Sequence, residues 1–294
     1  MSKNTAIKKL IYSYLLAAIK SYIDQGNREY IIHGKIPLHQ GRDNNRVFYI
    51  SGVALQLGKS HNAVPWEIAN AIASHISNNC GKALLLQIVA PGSIHIELTH
   101  GLLAAWLQSV ALGESKSSLN FIGIKSQLPD KGERIKSYNP SRLFSIQYAH
   151  ARCYSLILLA HREGLIKLKA PLSASSESWH LGSLVVTEAL PWLNSDDRQL
   201  RLHHPAESRL IMELVKAVDE LECAEDAGKV NWEKVGWDLS QAFEAFWSQC
   251  RIWGEVKTNS PELAQARLGL VMATQSVLRI LLIVKLRIVA PVDL

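Results

Sequence analysis

The chain lacks most of the recognisable devices for covalent, redox or metal chemistry. Its four cysteines, Cys80, Cys153, Cys223 and Cys250, stand far apart, with no C-x-x-C pair and no Cys/His ligand spacing. That excludes a disulfide framework and a zinc finger as organising features and leaves free core thiols. There is no GxxxxGK[ST] and no GxGxxG, so neither a phosphate-cradling loop nor a dinucleotide fingerprint is present. Internal repeats and low-complexity tracts are also missing. Residues 277–290 are strongly apolar, but Arg279, Lys285 and Arg287 break the run well short of the roughly 20 apolar residues a membrane helix needs. Behind Lys8 and Lys9, the run at 10–19 is interrupted by Tyr12, Ser13 and Tyr14, and no small-residue cleavage site comes after it. The expectations are a core helix near the C-terminal end, an amphipathic first helix, no membrane segment and a cytoplasmic location.

What is present is enough to build on. With 294 residues, 48% hydrophobic and 20% charged, the chain can bury a sizeable core and is expected to hold two domains. A net charge of +6 points weakly to an acidic partner such as nucleic acid. In order, residues 1–25 read as a helix with Leu10, Tyr14, Ala17 and Ala18 on one face. YIIHGKIPL reads as a β-like run ended by Pro37, and 39–45 as an exposed polar loop. The segment 47–79 reads as helix, short loop, helix, with Pro65 opening the second helix and Trp66, Ile68, Ala69, Ile72 and Ile76 on its apolar face. ALLLQIVAPGSIHIELT reads as two strands about a Pro91–Gly92 turn, Ile94, Ile96 and Leu98 alternating with His95 and Glu97. A helix near 101–110 closes an α+β domain at 1–110. A polar linker, 111–137, precedes an all-α domain at 138–294, interrupted by an irregular stretch at 167–205 that carries Trp179 and Trp192.

The stretch 138–164, YNPSRLFSIQYAHARCYSLILLAHREG, organises the second domain. Pro140 after Asn139 suits a helix start, where a missing N–H costs nothing. Ile146, Ala149, Cys153, Leu156, Ile157 and Ala160 fall on one buried stripe, with His150 beside it as a core histidine. Tyr148, Arg152 and Ser155 stand opposite. Leu158 and Leu159 lie off the stripe, which predicts burial on two sides for the second half of the helix. Asp196, Asp197, His203, His204 and Glu188 have no recognised ligand spacing, so a solvated loop and no metal is the reading there.

NPSRLFSIQYAHARCYSLI resembles the helix that opens the DALR-type anticodon-binding domain of arginyl-tRNA synthetases. LSQAFEAFWSQCRIW resembles the family's later helix with its Phe-Tyr pair, and ARLGLVMATQSVLRILL with APVDL resembles its closing helix and C-terminal hook. SGVALQLGKSHNAVPWEIANAIASHI and IVAPGSIHIELTHGLLAAWL resemble the same enzymes' N-terminal tRNA-binding domain. The family places a catalytic domain with HIGH and KMSKS signatures between these regions. Here 111–137 is far too short for a domain of the order of 100–200 residues. His180-Leu181-Gly182-Ser183 is the nearest imitation of HIGH, and it falls on the wrong side of the anticodon-type helix.

The resemblance therefore implies a non-catalytic tRNA-binding protein derived from arginyl-tRNA synthetase, an accessory or regulatory factor with no cofactor and no catalytic residue. tRNA, with an arginine acceptor as the candidate, is the implied partner, and no DNA is expected. Gln147, Tyr148, Arg152, Trp247 and Arg251 are the implied RNA-binding residues, by stacking and charge-assisted contact. The competing role for Tyr148 and Arg152 is an ordinary interhelical hydrogen bond and salt bridge. Trp247 in place of the family's tyrosine keeps a stacking surface but exchanges a hydroxyl for an indole N–H. APVDL lacks the family's terminal methionine. Two other functions stay open: a protein-interaction module that has lost RNA binding, and participation in arginyl-tRNA aminoacylation with a catalytic partner.

Overall fold

A computed structural model describes residues 6–25, 36–43, 46–112, 138–168, 189–223 and 230–293. Most of the expected linker, the HLGS stretch, Trp179, Glu188 and most of the β-like run before Pro37 lie outside these residues. The chain forms two compact units, one spanning Ala6–Leu103 and the other starting at Ala104.

The first unit contains α1 (Ile7–Gln25), β1 (Leu38–Gln40), β2 (Phe48–Ser51), α2 (Val53–His61), α3 (Pro65–Cys80), β3 (Leu84–Val89), β4 (Ser93–Leu98) and the start of α4 (His100–Ala111). Its sheet is wholly antiparallel in the order β1-β2-β4-β3. Ile94, Ile96 and Leu98 face the core with Tyr49 and Leu84, while His95 and Glu97 turn away, as the alternation predicts. Gly92 is required at the β3–β4 turn, because a Cβ there would stand 2.8 Å from Pro65 Cβ and 2.9 Å from its carbonyl. That contact pins the turn to the start of α3, which packs on α1, α2 and β3.

Four expectations are corrected here. Phe48–Ser51 is a strand, not the start of a helix: its four residues pair with β4 and α2 begins only after Gly52. His39 and Gln40, in the expected loop, form a strand with Leu38, paired to β2. The buried face of α1 is Ile7, Ile11, Leu15, Ala18 and Ile19, so Ala18 alone of the expected four is buried and Ala17 is exposed. Trp66 is 44% exposed, whereas Ile68, Ala69, Ile72 and Ile76 are core.

The second unit is helical: the rest of α4, α5 (Pro140–Arg162), α6 (Pro205–Cys223), α7 (Trp232–Gln249), α8 (Glu255–Asn259) and α9 (Pro261–Ile280), which runs on into a π-helical turn, Leu281–Leu286. Asn139 caps α5, its Oδ1 accepting from the N–H groups of Ser141 (3.0 Å) and Arg142 (3.3 Å), with Pro140 in the first turn. Asn231 caps α7 in the same way through the Lys234 N–H. α5 and α7 run parallel: Asn139 meets Glu233 near both N-termini, Ile146 packs on Gly236, and Arg152 meets Trp247 near both C-terminal halves. The connection through α6 makes this possible. α9 packs against α5, α6 and α7. With its π-helical extension it is long and apolar enough to cross a membrane by length and composition, and 67% of its most apolar window is buried inside the protein.

Part of the irregular stretch is ordered by α4 and α9. Gln108 Oε1 accepts from the Leu190 N–H (3.1 Å) and the Trp192 indole N–H (2.7 Å), and the six-membered ring of Trp192 packs against Gly269. All four cysteines are buried thiols outside any disulfide. Leu159 is 38% exposed and Leu158 half-buried, so the second half of α5 is buried on one side only, against the expectation.

Candidate nucleic-acid interface

α5 fixes the site by the angular spacing of its residues. Ile146, Ala149, Cys153, Leu156, Ile157 and Ala160 are all buried, as the stripe predicts. Burial pushes the Cys153 thiol well above its ordinary value, so it is a packing group. Steps of about 100° per residue then place Phe144, Tyr148, Arg152 and Ser155 on the far side. Phe144 is 58% and Tyr148 43% exposed, and their rings stack at a centroid separation of 6.1 Å and 22°.

Among the described residues, Arg152 pairs with no carboxylate and makes no ring contact with Tyr148. Its guanidinium carbon lies 5.1 Å from the centre of the Trp247 ring, and Trp253 meets Trp247 edge-on at 5.9 Å and 75°. The interhelical pair anticipated for Arg152 thus exists as a cation–ring contact. Phe246, one residue earlier, is fully buried in the core, whereas Trp247 is half-buried. Arg251 is exposed just past α7, and its carbonyl accepts from Arg267 Nη1 at 2.7 Å. Trp253 Nε1 is buried with no hydrogen-bond partner among the described residues, an orphan donor against the same aromatic cluster.

Gln147 is placed differently. It turns to the C-terminal tail, where its Nε2 donates to the Val289 carbonyl at 3.0 Å. His150, 1% exposed, reaches the same tail: Nδ1 lies 2.7 Å from the Pro291 carbonyl and Nε2 3.1 Å from Gln275 Nε2. A carbonyl can only accept, so Nδ1 carries the proton and Nε2 accepts from the Gln275 amide, which fixes the neutral tautomer. Burial lowers the His150 pKa from its ordinary value, the Pro291 bond opposes that, and Arg279 adds to it. Tyr138 donates to the Leu286 carbonyl at 3.2 Å and completes the latch. Tyr138 and α5 thus hold the tail by three side-chain bonds.

Two features escaped the sequence reading. Phe144 lies four residues before Tyr148, a spacing that would have placed it on the same face. Arg142 lies 5.2 Å over Trp237 and 3.6 Å from Glu233, an arrangement that no local pattern announces. Asp197 accepts from the Gln199 N–H at 2.8 Å and His204 Nδ1 accepts from the Ala206 N–H at 3.2 Å.

Comparison with known proteins bears on this surface. Residues 146–288 match the model of the DALR anticodon binding domain. The chain is 30% identical to an arginine–tRNA ligase of Gloeobacter violaceus over 151 residues, 51% of this chain and 22% of that enzyme. It is 30% identical to the arginine–tRNA ligase of Ruminiclostridium cellulolyticum over 146 residues, 49% of this chain and 21% of the enzyme. The chain therefore spans about a fifth of the length of these curated relatives. No solved structure matches it significantly. Apart from the first turns of α5, the helices α5, α6, α7 and α9 fall within the matched residues, and the C-terminal half of the chain holds a DALR anticodon-binding domain, in a chain similar to arginine–tRNA ligases over about half of its length.

Proposed function

We propose that the chain is a non-catalytic tRNA-binding protein derived from arginyl-tRNA synthetase, working in the cytoplasm as an accessory or regulatory factor, with an arginine acceptor as the first candidate ligand. The observation that carries this reading is the surface made by Tyr148, Arg152 and Trp247. An exposed phenol ring stacked on Phe144 and, one turn further along α5, a guanidinium over an indole of α7 stand on this helix pair, and unstacked bases are held by such rings and cations. Arg251, exposed just past α7, adds a phosphate contact. Gln147 serves the site indirectly, by holding the tail beside it. Residues 1–110 act in this reading as a second tRNA-binding domain. The absence of a catalytic role rests on 111–137, which is too short for a nucleotide-binding domain.

Native gel shifts with total tRNA over a range of salt test the proposal. Binding that weakens steeply with salt is expected, and no shift even at low salt refutes it. Arginine-dependent ATP–pyrophosphate exchange by the chain alone is expected to be nil; measurable exchange would instead make it a ligase. A second reading, a protein-interaction module, draws on the first unit, where Val64 and Trp66 stand exposed on the start of α3, onto which Gly92 pins the β3–β4 turn, and where Val89 is exposed at the end of β3. Co-purification of a protein without RNA would favour it.

A further inference from the structure

We propose that β3 pairs edge to edge with β3 of a second copy of this chain, antiparallel, about a two-fold axis at Gln87. The sheet has two edges, and they differ. β1 is three residues long and leads into Arg42 and Asp43, which blunts it. β3 is six residues long, LLLQIV, and all six pair in unbroken register with β4, so no bulge bends this edge away. Residues 83–90 hold neither a charge nor a proline. Charges, prolines and bulges are what keep an exposed edge from pairing, and β3 has none of them. The inference stands apart from the RNA-binding reading, and its test needs no RNA.

The phase of the backbone bonds fixes what the edge offers. The Thr99 N–H donates to the Ala83 carbonyl at 3.2 Å, and the Leu98 N–H turns the other way, to the Val47 carbonyl at 3.0 Å. Leu85, Gln87 and Val89 therefore direct their backbone groups at β4, whereas Leu84, Leu86 and Ile88 direct theirs outward. Among the described residues, nothing bonds those outward groups. The side chains of Leu84, Leu86 and Ile88 are buried or half-buried. On the other face Leu85 is 56% and Val89 36% exposed, with exposed Gln87 between them. This pattern is self-complementary about Gln87. An axis there sets Leu86 opposite the second copy's Ile88, the two exchanging both backbone bonds, and sets Leu85 opposite Val89 on the exposed face. Gln87, the one polar side chain of the strand, meets its own copy, amide N–H to amide oxygen. The pairing uses up the one long edge, so it closes at a dimer. Two six-residue strands run for only about 20 Å. The interface is thus of the small, weak class, below about 1,200 Å².

Sedimentation equilibrium of the full chain is expected to show a monomer near about 1 μM and a growing share of dimer toward about 100 μM, as a small interface allows. Gln87→Lys, at an exposed position, sets two ammonium groups across the axis and should weaken the dimer about tenfold or more, with the thermal melt unchanged. An equal mixture of Gln87→Lys and Gln87→Glu should restore it as a mixed pair, which happens only where a residue faces its own copy. Gln87 faces its copy as a non-bonded pair, with Cα atoms about 4.5 Å apart, so Gln87→Cys should cross-link on mild oxidation. Leu85→Cys, about 14 Å from its copy along the strand, should not. A chain that stays monomeric through about 100 μM overturns the proposal, and so does a dimer that Gln87→Lys leaves intact and Gln87→Cys fails to cross-link. Capture of a different protein by the monomer, lost in Gln87→Lys, also overturns it and gives the edge to that protein.

Discussion

His150 offers a test of the latch between α5 and the tail that is independent of any ligand. Replacing it with asparagine keeps a donor near the Pro291 carbonyl but removes the acceptor for the Gln275 amide. A buried donor left unmade costs about 1–3 kcal/mol, so above neutral pH the variant should be less stable than the native chain by about that amount. Acidification then narrows the gap. Because burial lowers the folded pKa of His150, the unfolded chain binds the proton first, and native stability is lost as pH falls from about 6.5 toward the lowered folded value. In that window the native chain loses up to about 1.4 kcal/mol per pH unit through this one group, a loss the asparagine variant does not share. Urea unfolding of both proteins, followed by circular dichroism from about pH 8 to about pH 5, gives the difference directly. A gap that stays constant or widens on acidification would refute the neutral, buried assignment. Amide exchange at Ile288, whose N–H donates to the Leu282 carbonyl at 2.9 Å, should quicken in the variant if the tail loosens.

Two further perturbations probe the helical unit. Glu207 is 1% exposed, with Oε1 accepting from Arg267 Nε at 2.6 Å and Oε2 from the His204 N–H at 2.8 Å; Glu207→Ala should cost about 3–5 kcal/mol by stranding a largely buried guanidinium, and a thermal melt within a few degrees of native would contradict the buried pair. Gly269→Ala should gain about 1 kcal/mol of helix propensity and lose about 1–3 kcal/mol to overpacking, because the new methyl would sit 2.7 Å from Trp192 Cζ2 while Gln108 holds the indole. The expected net loss should come with altered Trp192 fluorescence, and a net gain in urea stability would show that the ring moves freely.

The range of each interaction decides whether the sequence discloses or hides it. The α5 stripe and its Asn139–Pro140 start were legible because helical period and capping are local, and the β3–β4 hairpin because strict alternation flanks a Pro-Gly turn. β1 and β2 were missed: runs of three and four residues carry too little period to oppose the helical pattern of the adjoining α2 segment, and their pairing with each other and with β4 decides them. Arg152 and Trp247 could each be nominated from the family resemblance, but their contact spans two helices separated by α6, so no local pattern contains it. Gln147 shows the same limit in reverse. Helical position made it a neighbour of Tyr148, and a carbonyl more than a hundred residues away determines what it bonds to.

That long-range bond also bears on what the surface can bind. Around α5, one side is taken by α7 through Ile146 and Arg152, another by α9 through His150 and Gln275, and a third by the tail through Gln147 and His150. The remaining strip carries Phe144, Tyr148 and Ser155, with Arg152 at its border. A ligand approaching α5 therefore meets rings first and a cation at the edge, and it finds the Gln147 amide already satisfied by Val289. Val289 itself, 72% exposed, forms the wall on that side. Base-specific hydrogen bonding from Gln147 would require the tail to leave, at the cost of the buried His150–Pro291 bond. While the latch is closed, the chemistry left on the strip is stacking and charge. These favour unpaired nucleotides over duplex and discriminate weakly among the bases.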